Sequence, residues 1–172
     1  ESGYVGNVEY HVLTKDGGKI LVEASAAVMK GSNGDSVGFV VVARDITERK
    51  RMEEELLRLS DAVKMSKDSI VISDLEGRIV EANEATLRMH GMENKTDFVG
   101  KTALEIIAPE DREIMAEKVV KALAEGELKY VEYHALKNDG SKFLVEASIS
   151  VMKDAKGEPT GYMAVTRDIT ER

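Results

Sequence analysis

The 172-residue sequence contains no cysteine, no tryptophan and only two prolines. Without Cys, the chain cannot form disulfides, thiolate zinc sites, cysteine nucleophiles or thioether links to a chromophore. No apolar run approaches the roughly 18 residues of a membrane-spanning helix, and no signal-peptide pattern stands at the start. These absences predict a cytoplasmic chain that makes no membrane contact itself. A membrane anchor elsewhere in a longer parent protein stays open.

Basic residues are fewer than acidic ones. The sequence has 24 Lys and Arg and 32 Asp and Glu, which gives a net charge of −8. An acidic chain without a basic stripe is a poor match for a phosphate backbone, which argues against a nucleic acid partner. No Ser-His-Asp order and no phosphate-binding Gly loop stands out, and the three His are isolated. The sequence therefore predicts neither an enzyme active site nor a metal site.

One stretch of 42 residues occurs twice. Val8–Arg49 returns without gaps at Val131–Arg172, 123 positions later, and 25 residues are identical. This period is too long for a solenoid repeat and equals a small domain plus a connector. We therefore expect residues 1–46 to be the C-terminal three-strand part of a preceding domain, 47–66 a connector helix and 67–172 a complete domain.

Three antiparallel strands are predicted in the first copy, because apolar and polar residues alternate there between Gly-rich turns. Alternate residues of these strands point to the same side of the sheet. The residues expected to face inward are Tyr10, Val12, Ile20, Val22, Ala24, Phe39 and Val41. A three-stranded ribbon with such a face is not stable alone in water. Since only one set of cavity-forming elements, Ser69 to Gly126, accompanies two ribbons, we expect the first ribbon to self-associate or to exchange into a neighbouring molecule.

A helix is predicted from Thr47, a suitable N-cap, to about Met65. Its apolar residues at coiled-coil spacing are Met52, Leu56, Leu59 and Val63. A seam of this kind predicts a homodimer. Because the seam is only about two heptads long, a connector helix docked on its own sheet is the alternative.

The region between the two copies predicts two short strands around the turn Asp74–Gly77, followed by helices. One helix is capped by Asn83, and a longer amphipathic one runs from Glu110 to about Ala124. The three strands of the second copy then complete the order β-β-α-α-α-β-β-β. Helices gathered in the middle of an antiparallel sheet indicate the α+β class.

This order, with the stretches SIVISDLEGRIVEAN, VGKTALEIIAPED and KNDGSKFLVEASISVMKDAKGEPTGYMAVTRDITER, resembles the PAS domain family. The resemblance implies a five-stranded antiparallel sheet with helices between strands 2 and 3, which together enclose a small cavity. It also implies that a three-stranded half-domain and a connector helix precede this domain. Such tandem modules serve as sensors in signalling proteins, often the histidine kinases of two-component systems.

The resemblance further implies a signal relay at the end of each copy, where an Asp-Ile-Thr motif joins the last strand to a signalling helix. The matching residues are Asp45, Ile46 and Thr47 in the first copy and Asp168, Ile169 and Thr170 in the second. We expect the Thr to cap the helix and the Asp to anchor the strand end. A change of sheet geometry would then tilt or rotate the helix.

Cofactor binding is tested by matching positions in the family. Haem-binding relatives supply a histidine where this chain has Met115, so haem is not predicted. Light-sensing flavin relatives need a Cys, so its absence excludes flavin photochemistry, and the cofactor stays unknown. Large inward residues leave room only for a small, mostly apolar ligand. The candidate cavity lining is Met115, Tyr133, Ala135, Phe143, Val145, Ala147, Tyr162 and Thr166.

His90 has two interpretations. It ends the helix that begins at Asn83, where a cation suits the helix dipole. Contact with a ligand in the cavity is the alternative.

The sequence thus predicts a sensory PAS module of a larger protein, most simply a sensor histidine kinase, that responds to a small ligand or a conformational signal and dimerises. Its partners would be a second copy and the other domains of the parent protein. One alternative is a dimerisation or protein-interaction module without ligand. Another is a haem or flavin redox sensor.

Overall fold

The computed structural model describes residues 3–170, which fall into two units that divide after Ser60. The predictions for Glu1, Ser2, Glu171 and Arg172 lie outside the described residues. Unit 1 consists of three strands and most of a long helix. Unit 2 holds the end of that helix and the rest of the fold.

Unit 1 contains β1 (Tyr4–Leu13), β2 (Lys19–Lys30) and β3 (Ser36–Asp45), followed by α1 (Thr47–Met65). The strands form an antiparallel sheet in the order β1-β2-β3. The predicted three-stranded ribbon and the helix bounds are therefore confirmed. Since β3 pairs only with β2 within the described chain, its other edge is unpaired.

Unit 2 alternates between sheet and helix in the predicted order. Its strands and α-helices are β4 (Ser69–Ser73), β5 (Ile79–Ala82), α2 (Glu84–His90), α3 (Arg112–Glu125), β6 (Glu127–Leu136), β7 (Lys142–Lys153) and β8 (Pro159–Asp168). Short 3-10 turns lie between α2 and α3, at Lys95–Asp97, Ala103–Ile106 and Pro109–Asp111. The strands form one antiparallel sheet in the order β5-β4-β8-β7-β6. The predicted α+β class and five-stranded sheet are confirmed.

The two copies of the repeat have the same strand register. Tyr10 lies opposite Val22 in unit 1, as Tyr133 lies opposite Val145 in unit 2. Both first strands also carry a β-bulge, at which Asn7 and Tyr130 have φ angles of 53° and 57°. Because a bulge breaks the two-residue alternation, the pattern of apolar and polar residues does not continue through the starts of β1 and β6.

The predicted inward face of unit 1 is only partly buried. Val22 and Ala24 are buried on the central strand, whereas Phe39 is 73% exposed and Tyr10 and Val41 are also exposed. The strand register places these three residues on the same face as Val22 and Ala24, and their exposure agrees with the expectation that this face is uncovered. Parity shows which residues share a face, but burial also needs a second layer over that face.

Close packing between β4 and β8 depends on a glycine. A Cβ atom at Gly161 would overlap the backbone carbonyl oxygen of Ser73 on the neighbouring strand. Gly therefore allows the two strands to approach at this point. The pairing matters for the site, because alternate residues of both strands face the same interior space.

Candidate functional site

Unit 2 encloses a cavity of about 300 Å³ between its sheet and its helices. Strand pairing explains the sheet side of the wall, because Ser69 lies opposite Thr166 and Val71 lies opposite Ala164, and all four line the cavity. The helical side includes Ile107 before α3 and residues of α3 itself. The cavity is thus bounded mostly by apolar side chains, with a few hydroxyl groups on the sheet.

The structure places five of the eight predicted lining residues on the cavity wall. These are Met115, Tyr133, Ala147, Tyr162 and Thr166. The other three, Ala135, Phe143 and Val145, form a separate core cluster against Met89 of α2. For these three the prediction of a cavity position is wrong, because the end of α2 fills the space above them.

His90 lies at that end of α2 and lines the cavity, with only 3% of its surface exposed. Its Nδ1 lies 2.6 Å from the backbone carbonyl oxygen of Leu136, and its ring meets the rings of Phe98 and Phe143 edge to face. Burial lowers the pKa of His90, although the bond to Leu136 opposes this shift. The side chain is therefore neutral at pH 7, and the interpretation as a dipole-paired cation is wrong.

Two further polar side chains stand near each other on the sheet. Burial raises the pKa of the Tyr133 phenol, and the Thr166 hydroxyl beside it partly opposes the increase. Both groups are uncharged at neutral pH and can donate or accept a hydrogen bond. They add polar recognition to an otherwise apolar wall.

Ser69 connects the cavity wall to a buried hydrogen-bond network. The Thr86 hydroxyl, which is fully buried, lies 2.8 Å from Ser69 Oγ and donates to Asn83 Oδ1 at 2.8 Å. Asn83 Oδ1 also accepts from the backbone amide of Thr86 at 3.1 Å, which is the predicted helix cap. The cavity wall and the start of α2 are therefore held by the same side chains.

The same asparagine reaches the end of α1. Asn83 Nδ2 donates to the carbonyl oxygens of Val63 at 3.2 Å and Asp68 at 3.1 Å, and its Oδ1 accepts from the Ile70 amide at 3.0 Å. A continuous chain of hydrogen bonds thus leads from Ser69 in the cavity wall to Val63 in the last turns of α1. The sequence indicated the cap but not these longer-range bonds.

The first Asp-Ile-Thr motif fixes the start of α1. Asp45 Oδ1 accepts from the Thr47 amide at 2.8 Å, and Thr47 Oγ1 accepts from the Leu21 amide at 2.8 Å. Ile46 is buried, and its amide donates to the Leu21 carbonyl oxygen. The Thr47 hydroxyl therefore bonds to β2, and the Asp45 carboxylate holds the backbone amide at the start of α1.

The second motif makes the same bonds in unit 2. Asp168 Oδ1 accepts from the Thr170 amide at 2.9 Å, and Thr170 Oγ1 accepts from the Leu144 amide at 3.2 Å. The Ile169 amide donates to the Leu144 carbonyl oxygen at 2.9 Å. Each copy of the motif therefore fixes the end of its last strand to its middle strand.

The predicted seam lies on a helix without buried residues. Met52, Leu56, Leu59 and Val63 are all exposed, and Leu56 reaches 69% exposure. Their spacing places them along one face of α1. This apolar face is available to a partner.

Residues 3–170 contain neither a cluster of metal-ligating side chains nor a membrane-spanning helix. No three His, Asp or Glu side chains in that range converge as metal ligands would. No helix in the described range is both long and apolar enough to span a membrane.

Comparison with known proteins gives consistent matches. A family model described as "PAS domain" matches residues 1–48 and 67–171. The PAS domain of a protein from Colwellia psychrerythraea superposes with a TM-score of 0.64 and 25% identity, over 69% of this chain and 99% of that structure.

Two sensor kinases are similar over shorter parts of their length. "Sensor histidine kinase TmoS" of Ectopseudomonas mendocina is 33% identical over 104 residues, 60% of this chain and 11% of the kinase. "Sensor protein kinase WalK" of Staphylococcus aureus (strain Newman) is 30% identical over 120 residues, 70% of this chain and 18% of the kinase. The chain therefore spans less than a fifth of either kinase.

Proposed function

The chain belongs to the PAS domain family. We propose that it is the sensory module of a larger signalling protein, which is either cytoplasmic or membrane-anchored. In this proposal, a small ligand bound in unit 2 changes the position of α1. The observation that carries this proposal is the hydrogen-bond chain from Ser69, in the cavity wall, to Val63 near the end of α1. The module works by conformational coupling and carries out no reaction of its own.

A histidine kinase is the parent protein that the similar sequences favour. The matched parts of the TmoS and WalK kinases correspond to this PAS region, which is a small fraction of each kinase. We propose that this chain occupies the same sensory position in its parent protein.

Coupling would use both ends of α1. At the start, Thr47 and the ion pairs Arg49–Glu23 and Lys50–Glu9 fix the helix to the sheet of unit 1. At the end, Asn83 holds the Val63 carbonyl oxygen in unit 2. A displacement of Asn83 would therefore reach the last turns of α1 directly.

The exposed seam supports a homodimer with α1 against α1. Eight large side chains, four from each helix, would each contribute about 1 kcal/mol on partial burial. That total is comparable with the cost of association, which is on the order of 4–15 kcal/mol. We therefore expect a weak dimer whose population depends on concentration and responds to small changes in α1.

Unit 1 has the register of β6–β8 in unit 2, which supports its assignment as the C-terminal strands of a second PAS copy. In unit 2 the strand equivalent to β3 is β8, and it also pairs with β4. The free edge of β3 and the exposed Phe39 favour self-association of unit 1 or its exchange into a neighbouring molecule.

A dimerisation or interaction module without ligand is the second candidate, favoured by the exposed apolar face of α1. The 300 Å³ cavity lies at the lower end of the range for small-molecule pockets, which suits a small ligand better than haem or flavin.

Native mass spectrometry of the chain purified from cells tests the proposal. We expect a dimer and a non-covalent small-molecule adduct that is lost on denaturation. A ligand-free dimer would instead favour the interaction module, and a coloured sample would favour a haem or flavin sensor.

A further inference from the structure

His90 offers one ring nitrogen to the cavity ligand. Its Nδ1 is used by the Leu136 carbonyl oxygen, and because a carbonyl can only accept, Nδ1 must carry the ring proton. In the neutral imidazole the other nitrogen, Nε2, is then an acceptor. Within residues 3–170 the side-chain hydrogen bond of His90 uses Nδ1, and His90 lines the cavity, so Nε2 is available to accept from a bound molecule.

The packing around His90 fixes the direction of that acceptor. The rings of Phe98 and Phe143 contact its ring edge to face, with centroids 5.2 and 5.3 Å away. The hydrogen bond to Leu136 prevents the imidazole ring from rotating about its Cβ–Cγ bond. A buried acceptor that is held in one orientation discriminates strongly, because a ligand that cannot donate to it leaves it desolvated and unpaired.

The charges around the cavity select an uncharged ligand. The lining contains no Lys or Arg among the described residues, and its only carboxylate is the exposed Glu76. An anionic ligand would therefore enter a mostly apolar space without a cationic partner, which disfavours its binding.

The size of the cavity sets the size of the ligand. A cavity of roughly 150 Å³ is known to hold benzene, and this one is about 300 Å³. A molecule of roughly ten heavy atoms, such as a compact two-ring compound, would therefore fit without displacing the wall.

We propose that the cavity of unit 2 binds an uncharged, mostly apolar molecule of roughly ten heavy atoms that carries a hydrogen-bond donor, and that Nε2 of His90 accepts from this donor. The inference rests on the proposed sensory function and names the ligand class of its site.

Indole and benzofuran form a matched pair of probes, because they have nearly the same shape but only indole carries an N–H donor. The chain contains no Trp, so indole fluorescence excited at long wavelength reports binding without interference from protein indole. Benzofuran is measured by competition with indole. We expect indole to bind roughly tenfold or more tightly than benzofuran, as expected for one hydrogen bond to a buried acceptor.

His90→Phe removes the acceptor and keeps an aromatic ring between Phe98 and Phe143. In this variant the preference for indole should fall to about twofold or less. His134→Phe is the control, because His134 is exposed and does not line the cavity. The control should keep the wild-type preference.

Nitrogen-15 NMR of the imidazole in the unmodified chain gives a second measurement, in case His90→Phe does not fold. Indole should shift the Nε2 resonance of His90 from that of a free acceptor toward that of a hydrogen-bonded one, and benzofuran should not. Equal affinities with no change at Nε2 would overturn the role of His90 but leave ligand sensing intact. Binding of neither compound would overturn the ligand class, whereas the proposed function would still be judged by the adduct in native mass spectrometry.

Discussion

Asn83→Ala should weaken unit 2 and release the end of α1 together. The substitution removes the cap on the Thr86 amide, the acceptor for the Ile70 amide and the two donor bonds to Val63 and Asp68. Loss of a helix cap costs about 1 kcal/mol. A partly buried amide without its acceptor costs about 1–2 kcal/mol more.

The expected loss in the free energy of unfolding of unit 2 is therefore about 2–3 kcal/mol. For a domain of this size that corresponds to a fall in Tm of roughly 10 °C. Urea unfolding followed by the amide NMR signals of β7 and β8 would measure the change in unit 2 alone.

Two variants make this measurement specific. Asn94→Ala is the matched control, because Asn94 also precedes a helical turn but makes no capping hydrogen bond, so it should change stability by less than about 0.5 kcal/mol. Asn83→Asp keeps the acceptor oxygens and loses the donor to Val63, so it should retain the cap and speed amide exchange near the end of α1. If Asn83→Ala were as mild as Asn94→Ala, the proposed role of the network would be wrong.

Three other outcomes are expected. Leu56→Glu should abolish the dimer in light scattering without unfolding either unit, and an unchanged dimer would contradict the seam. Gly161→Ala should destabilise unit 2 by about 1–3 kcal/mol in urea unfolding, because its Cβ would push β8 away from β4. Gly38→Ala, at the equivalent position of unit 1, should be tolerated, since its nearest contact is at 3.6 Å. Hydrogen bonds from Arg167 hold the pKa of Asp68 below its ordinary value of 3.8, so this pair stabilises the fold above about pH 4 and is lost as acid protonates the carboxylate. Asp68→Asn should therefore show a smaller loss of stability between pH 5 and pH 2 than the wild-type chain, and an equal loss would contradict the contribution of the pair.

Local patterns predicted the secondary structure well where each signal lay within a few residues. The alternation in the strands, the Asn83 cap and the long run of α1 all have this character, and the structure confirms them. The bulges at Asn7 and Tyr130 could not be predicted from the alternation of apolar and polar residues, because each inserts a residue that breaks it.

The cavity could be predicted only in part, because parity identifies a face of the sheet but not which part of it remains empty. Phe143 and Tyr162 both have inward parity, yet Phe143 packs under α2 and Tyr162 lines the cavity. The hydrogen bond of His90 is to the carbonyl oxygen of Leu136, which lies 46 residues further along the chain. Contacts of this range do not leave a local pattern in the sequence.

The hydrogen bonds at the two ends of α1 likewise could not be predicted from local sequence patterns. The Asp-Ile-Thr motif is visible in the sequence, but its hydrogen bonds depend on how β2 lies beside the start of α1. The link between Asn83 and Val63 likewise requires the folded positions of two helices.

Amide hydrogen exchange in a variant whose cavity is filled tests the central claim most directly. Ala164→Leu places extra atoms in the cavity as a substitute for a ligand, and Ala124→Leu adds the same atoms on the exposed surface of α3. If cavity occupancy is transmitted to α1, Ala164→Leu should change exchange rates severalfold across residues 61–70, whereas Ala124→Leu should not. Changes confined to the cavity wall, with residues 61–70 as in the wild-type chain, would contradict the coupling.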